Sequence, residues 1–346
     1  MSRSPLLTVT DSGLFCEAGN FYVDPWEPVA RAVLTHAHSD HARAGARVYL
    51  AAEGNERLLA TRLGGEAAVE VLRYGQHVDV NGVGVSFHPA GHILGSAQVR
   101  IEHQGEVWVV SGDYKLQPDP TCASFEPVPC DTFITEATFG LPIYRWAEPS
   151  EVFEQINRWW RANQERGKTS MLYCYALGKA QRILAGVDAT IGPIYTHGAV
   201  ENLTRDYRDA GIVLPPTTVA SELPRKTKFS DALILAPPSA SGTPWLRRFG
   251  SIATGFASGW MAVRGMRRRK AIDRGFVLSD HSDWPGLLSA IKSSQAERVL
   301  VTHGYSTQMA RFLGGTGVNA EALNTRFDAQ MDETVESGAP ATEDME

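Results

Sequence analysis

No stretch of this chain is apolar for long enough to cross a bilayer, and its opening residues, MSRSPLLTVTDSG, lack the apolar core of an export signal. These absences argue against a membrane-spanning helix and predict a cytoplasmic protein with no membrane partner. Paired cysteines are missing as well. Cys16, Cys122, Cys130 and Cys174 form no CxxC or similar spacing. This excludes a disulfide framework and predicts free thiols in a reducing compartment. Surplus positive charge is also absent: 33 lysines and arginines face 39 aspartates and glutamates, for a net charge of −6. Bulk charge therefore gives no attraction to nucleic acid. No internal repeat is visible.

What is present is unevenly spread. A chain of 346 residues holds one large domain or two. The run VRGMRRRKAIDR, residues 263–274, concentrates basic side chains, whereas residues 328–346, DAQMDETVESGAPATEDME, are acidic and without apolar periodicity. That tail reads as disordered, and setting it aside leaves the rest of the chain close to neutral. Up to about residue 144 the chain reads as short strands and tight turns, with one helix in GNERLLATRL. VRIEHQGEVWVV alternates as a hairpin does, with HQGE as its turn. From about residue 149 the rhythm changes to helix, strand, helix, beginning with SEVFEQINRWWRANQERGK. After about residue 272, GFVLSDHSDWPGLLSAIKSSQAERVLVTHGY gives strand, helix and strand again.

The densest chemical signal is LTHAHSDHA, residues 34–42, which places His36, His38, Asp40 and His41 directly after the small apolar strand ARAVL. Imidazole nitrogens with a carboxylate suit zinc, manganese or iron, while magnesium and calcium prefer oxygen alone. Four donors so close could hold parts of two metal shells, and one metal alone would need a fourth ligand or a water, so further ligands must come from elsewhere. Three more donors fall just past strand ends: His92 in PAGHILGSA, Asp113 in VWVVSGDYK and His303 in RVLVTHGYS. A sheet projects such positions into a common site.

His-x-His-x-Asp-His, a Gly-His turn, Ser-Gly-Asp and a late His, in that order, resemble the metallo-β-lactamase fold. The resemblance implies an α/β chain folded as an αβ/βα sandwich, with metals along one edge. It groups His36, His38, His92 and Asp113 about one metal, and Asp40, His41, Asp113 and His303 about the other. Asp113 bridges, and a hydroxide is the nucleophile. TEATFG (135–140), YALGKAQRI (175–183, with Lys179 where that family has Arg) and SDHSDW (279–284) resemble the elements that bracket and occupy the β-CASP insertion of nucleic-acid-processing members. They imply a metallo-β-lactamase domain over 1–144 and 273–327, an insertion over 145–272, and the tail. Glu136 then matches the carboxylate that partners a catalytic histidine, and His281 matches that histidine.

ATGFASGWM and GFVLSDHSDWPGLL are similar to the ligase-associated DNA exonucleases, bacterial relatives of the Snm/Pso cross-link repair nucleases. The likeness implies a two-metal DNA exonuclease of repair, 5′-to-3′, using zinc or else manganese. Its substrate would be single-stranded DNA or DNA with a free end. Its functional partners would be an ATP-dependent DNA ligase and a helicase. Glu136 and His303 are the residue types of the RNA-processing branch, so an RNA-processing nuclease stands as the alternative, ahead of a small-molecule metallo-hydrolase or an inactive scaffold.

In such an enzyme His281 would protonate the leaving oxygen, with Glu136 raising its pKa and fixing its orientation. Asp113 would hold both metals, spaced roughly 3.5–4 Å apart. Arg267, Arg268, Arg269 and Lys270 would contact phosphates without reading sequence. Lys179 and Ser258 would hold a terminal phosphate, and Tyr144, Trp260 or Trp284 could stack on bases. His77, His88, His103 and His197 take no part in these sets; of them, His197 is the one to test for strand contact.

Overall fold

The computed structural model describes residues 5–263 and 272–325. Among these, one compact unit is built from residues up to Arg145 and from His281 onward, and another from Trp146–Asp280.

In the first unit, β1 (Thr8–Thr10), β2 (Gly13–Cys16), β3 (Phe21–Val23), β4 (Arg31–Val33), β5 (Val48–Ala52) and β6 (Val69–Leu72) form one sheet in chain order. Helix α1 (Glu56–Leu63) connects the last two and buries Leu58 and Leu59. A second sheet starts with β7 (His77–Val80), β8 (Val83–Pro89), β9 (Ala97–His103), β10 (Glu106–Val110) and β11 (Thr132–Glu136). The β9–β10 hairpin turns on Gln104 and Gly105, both with positive φ (52° and 79°), the geometry of a two-residue turn matched to strand twist. The core lies between the sheets. Val83, Val85 and Phe87 of β8 and Val99 and Ile101 of β9 meet Leu14, Phe21, Val33 and Leu50 of the first sheet.

The second unit is an all-parallel sheet with both faces covered. Its strands are β12 (Thr169–Tyr173), β13 (Ile194–Thr196), β14 (Thr218–Val219), β15 (Leu233–Ala236), β16 (Ile252–Ala257) and β17 (Arg274–Phe276), in the spatial order β14-β13-β15-β12-β16-β17. Such strands read as continuous apolar runs, as LILA does here, and TSMLY is buried along its whole length. Helices α2 (Pro149–Glu165), α3 (Lys179–Gly186) and α4 (Gly198–Asp209) supply Ile156, Trp160, Ile183 and Val200 to one face, against Leu172, Leu233 and Leu235. Met171, Tyr173, Ile234 and Phe256 point to the other.

The chain then returns to the first unit. Helices α5 (Trp284–Ser293) and α6 (Ser306–Gly315) pack Leu287, Ile291, Met309 and Leu313 on the outer face of the second sheet, against Val109, Phe133, Val299 and Val301. Strands β18 (Arg298–Thr302) and β19 (Asn319–Ala322) extend that sheet past β11. The fold is the αβ/βα sandwich with an inserted α/β unit.

One boundary differs from the sequence reading. The return was expected at residue 273, but β17 pairs in parallel with β16, so residues 273–280 belong to the insertion. A three-residue strand such as RGF carries no sign of which sheet it will join; only the pairing decides. Residues 328–346, expected to form an acidic tail, lie outside the described residues. No described helix is long and apolar enough to cross a membrane.

Candidate metal centre and its carboxylate–histidine pair

Sheet topology explains why distant residues meet. Strands β10, β11 and β18 run parallel side by side, so their carboxyl ends share one edge. Asp113 follows β10, Glu136 is the last residue of β11, and His303 comes directly after β18. His303 takes a left-handed φ of 58°, uncommon for a residue with a side chain, and Gly304 follows with φ 63° in close approach to the backbone of Ala137 and Thr138. In the other sheet β4 leads into His36, His38, Asp40 and His41. Gly112 lets the two loops touch: a Cβ there would lie 2.6 Å from Thr35 Cβ.

Among the described residues three groups of donors result, and Asp113 belongs to each. His36, His38, His92 and Asp113, all buried, bring one ligand atom apiece within 4.8 Å of one another. His38 Nδ1 is 3.0 Å from His36 Nε2 and 3.0 Å from His92 Nε2. Asp113 Oδ2 lies 3.5 Å from His36 Nε2 and 3.8 Å from His92 Nε2. The second group is His41, Asp113 and His303. His41 Nε2 is 3.5 Å from Asp113 Oδ2 and 3.3 Å from Asp40 Oδ2, and His303 Nδ1 is 3.9 Å from Asp113 Oδ1. Asp113, Glu136 and His281 make the third.

The electrostatics of this cluster fit divalent cations. Burial, together with the neighbouring imidazoles, holds His36 well below its ordinary value, and burial pushes His38 down to about 4. Both are thus neutral near pH 7, with lone pairs available to a metal. Burial also works against a charged His41, but Asp40, Asp113 and Asp24 outweigh it and raise that histidine well above its ordinary value. Among the described residues, the buried Asp40 Oδ1 and Asp113 Oδ1 accept no hydrogen bond. Buried carboxylate oxygens left so are costly, and a cation would satisfy them. The cluster can hold metal ions on chemistry and geometry alike.

His281 and Glu136 form a separate pair beside it. His281 Nδ1 is 3.0 Å from both Glu136 oxygens. Glu136 is itself fixed by the backbone N–H groups of Tyr114 (2.9 Å) and Thr138 (3.3 Å). The His281 ring packs 4.7 Å from that of His92, centroid to centroid.

Asp24 went unnoticed in the sequence. It sits directly after β3, beside β4, and its Oδ2 lies 2.8 Å from His41 Nδ1. It also accepts from the Thr35 N–H at 2.8 Å and the Thr35 hydroxyl at 2.6 Å. A donor just past a strand end is the same signal that picked out Asp113 and His303, and NFYVDP carried it.

The nucleic-acid candidates fare differently. Arg267, Arg268, Arg269 and Lys270 lie outside the described residues. Lys179, expected at a turn for a terminal phosphate, is buried in the second unit with Nζ 2.6 Å from Asp280 Oδ2, and Arg182 reaches Oδ1 of the same carboxylate at 3.4 Å. Ser258 is also buried, its hydroxyl accepting from the Trp260 N–H at 3.3 Å as a helix cap. Both are inside the fold, not on the open surface a phosphate meets first. Tyr144 and Trp284 are core residues. His197 caps α4 by accepting from the Ala199 N–H at 3.2 Å. All four cysteines are free thiols.

No family model matches the chain. A protein of Opitutus terrae named "Probable DNA ligase" is 30% identical over 331 residues, which is 95% of this chain and 32% of that protein. "Endoribonuclease YSH1" of Saccharomyces cerevisiae is 34% identical over 128 residues, 35% of this chain and 15% of the relative. This chain therefore spans a third or less of the length of these curated relatives. A crystal structure of a protein of unknown function from Enterococcus faecalis V583 superposes with a TM-score of 0.58 at 13% identity, covering 86% of this chain and 80% of that one. At that identity the likeness speaks for the fold alone.

Proposed function

Since this chain belongs to the metallo-β-lactamase/β-CASP nuclease family, we propose that it is a two-metal phosphodiesterase acting on DNA, an exonuclease of repair with 5′-to-3′ polarity. The observation that carries the reading is the position of Asp113, common to the His36/His38/His92 group, the His41/His303 group and the Glu136/His281 pair. A phosphodiester is anionic and resists attack by water, and two divalent ions, zinc or manganese for these donors, would supply water activation and charge neutralisation at phosphorus.

The chain's own residues do the rest. His36, His38, His92 and Asp113 would hold one ion; Asp40, His41, Asp113 and His303 would hold the other. His281 gives a proton to the leaving oxygen. Glu136 orients it, since Nδ1–H donated to that carboxylate turns Nε2 toward the reaction. The basic stretch 267–270 contacts strand phosphates without selecting sequence. Lys179, as half of a buried ion pair, and Ser258, as a helix cap, would serve any terminal-phosphate site only indirectly, by shaping the insertion from within.

DNA is favoured because the match to the protein named a probable DNA ligase runs through 95% of this chain. That match occupies only a third of the relative, which also supports a functional partnership with a DNA ligase; an ATP-dependent ligase and a helicase as partners rest on the resemblance to the ligase-associated exonucleases alone. Free thiols accord with a cytoplasmic setting. RNA is the second reading, supported by the identity of Glu136 and His303 and by the relative named an endoribonuclease. Digesting single-stranded DNA and RNA of one sequence, each labelled at either end, separates them. Nucleotides released stepwise from the 5′ end of DNA are expected. Cleavage of RNA with DNA left intact would establish the second reading.

A further inference from the structure

Lys115 is a fully buried lysine that the proposed chemistry does not use. Its side chain is 0% exposed, and Nζ lies 2.7 Å from Asp119 Oδ2, a side chain 3% exposed. The same Nζ donates to the backbone carbonyl of His92 at 3.4 Å. Asp119 spends its other oxygen on the N–H (2.9 Å) and hydroxyl (2.7 Å) of Thr121. The segment bearing Lys115 also grips the His92 loop by its backbone. The Lys115 N–H donates to Ala90 O at 3.1 Å, and a side chain at Gly91, where φ is +76°, would collide with the Lys115 carbonyl. Lys115 is two residues from Asp113. One short stretch therefore presents Asp113 and holds the loop that presents His92.

A buried ion pair is weak evidence for stability, because apolar residues of the same volume often serve as well or better. The pair's contacts give it a geometric use instead. We propose that Lys115 and Asp119 are positioning residues for the first metal: they fix the His92 backbone so that Nε2 stays within reach of His36, His38 and Asp113. Asp119 also neutralises Lys115, so the ammonium does not oppose a dication nearby. Groups that orient metal ligands from behind typically alter metal affinity by roughly 10–100-fold when replaced. The inference rests on the metal-dependent reading above, and its test separates the two.

The test uses the full chain stripped of metal, titrated with Zn²⁺ against a chromophoric chelator and with Co²⁺ by visible absorption. Lys115→Met keeps the length and volume of the side chain. The double variant Lys115→Met/Asp119→Asn also removes the carboxylate's charge while keeping an oxygen for Thr121. The single variant leaves the Asp119 carboxylate buried without its cation and should melt below the parent, whereas the double variant is expected to fold with a melting temperature near that of the parent. Both should bind the first Zn²⁺ about 10–100-fold more weakly and shift the Co²⁺ spectrum. Unchanged affinity and spectrum in folded variants would overturn the inference. So would failure of both variants to fold, which would make the pair a folding element. If the parent chain itself takes up no metal, the metal-dependent reading fails instead.

Discussion

Glu136 faces His281 with both carboxylate oxygens 3.0 Å from Nδ1, and two backbone N–H groups hold the carboxylate in that place. A doubly anchored acceptor fixes both ring orientation and tautomer. If His281 is the general acid, His281→Ala keeps its metals and its substrate affinity while the catalytic step slows by about 10²–10⁴-fold. A substrate with a better leaving group recovers much of the loss. Glu136→Gln gives a milder form of the same phenotype. Single-turnover rates combined with metal analysis check this; loss of one metal equivalent would make His281 a ligand.

Asp24 stands to His41 as Glu136 stands to His281. With Nδ1–H directed at Asp24, the neutral imidazole offers Nε2 to the second group of donors. Asp24→Asn keeps an acceptor for Thr35 but loses the charge. It should weaken the second metal by roughly 10–100-fold and leave the first largely unaffected. Stepwise Zn²⁺ titration resolves the two affinities; equal loss at both would point to a general disturbance of the His36 loop.

The histidines also predict how metal binding depends on pH. His36 and His38 are held below their ordinary value, His38 at about 4, so at pH 7 neither has a proton to lose. His41 is raised well above 6.5 and carries a proton in the metal-free fold. Filling the second group must expel that proton, so its affinity rises with pH until His41 has titrated. Calorimetry at pH 7 in buffers of different ionisation enthalpy should find a proton released that disappears in His41→Ala. The same shifts act on the metal-free fold with opposite signs. His38 weakens it as pH falls from about 6.5 toward 4, where the unfolded chain binds a proton that the fold refuses, and His36 acts in the same direction. His41 strengthens it below its raised value.

Much of this arrangement was legible in residue order. His36, His38, Asp40, His41, His92, Asp113 and His303 each follow an apolar strand, and strand ends converge whenever the strands lie side by side. The β9–β10 hairpin was written in its alternation and its Gln-Gly turn. Pairing partners were not legible. The strand at 274–276 reads equally well in either unit, and it joined the insertion sheet. Burial of charge was equally hidden. Lys179 has the look of a surface cation, yet its match is Asp280, 101 positions along the chain. Lys115 resembles any polar loop residue until the fold closes over it.

The basic stretch offers a prediction independent of the metals. Replacing Arg267, Arg268 and Arg269 together by Gln should weaken binding about equally for unrelated DNA sequences and flatten the dependence of log affinity on log salt, because fewer counterions are released. Filter binding across a salt series measures both. An unchanged slope would make the run an ordinary solvated face.

The central claim is that one carboxylate, Asp113, organises a two-metal hydrolytic centre. Metal content and hydrolysis of end-labelled single-stranded DNA and RNA, measured on the same preparations of the parent chain and of Asp113→Ala, test it most directly. The parent should carry up to two transition-metal ions, cut at least one of the strands, lose activity in excess chelator and regain it with Zn²⁺ or Mn²⁺. Asp113→Ala should stay folded, hold metal poorly and leave both strands intact. Full activity of the parent in excess chelator, with its metal content verified as zero, would contradict the account.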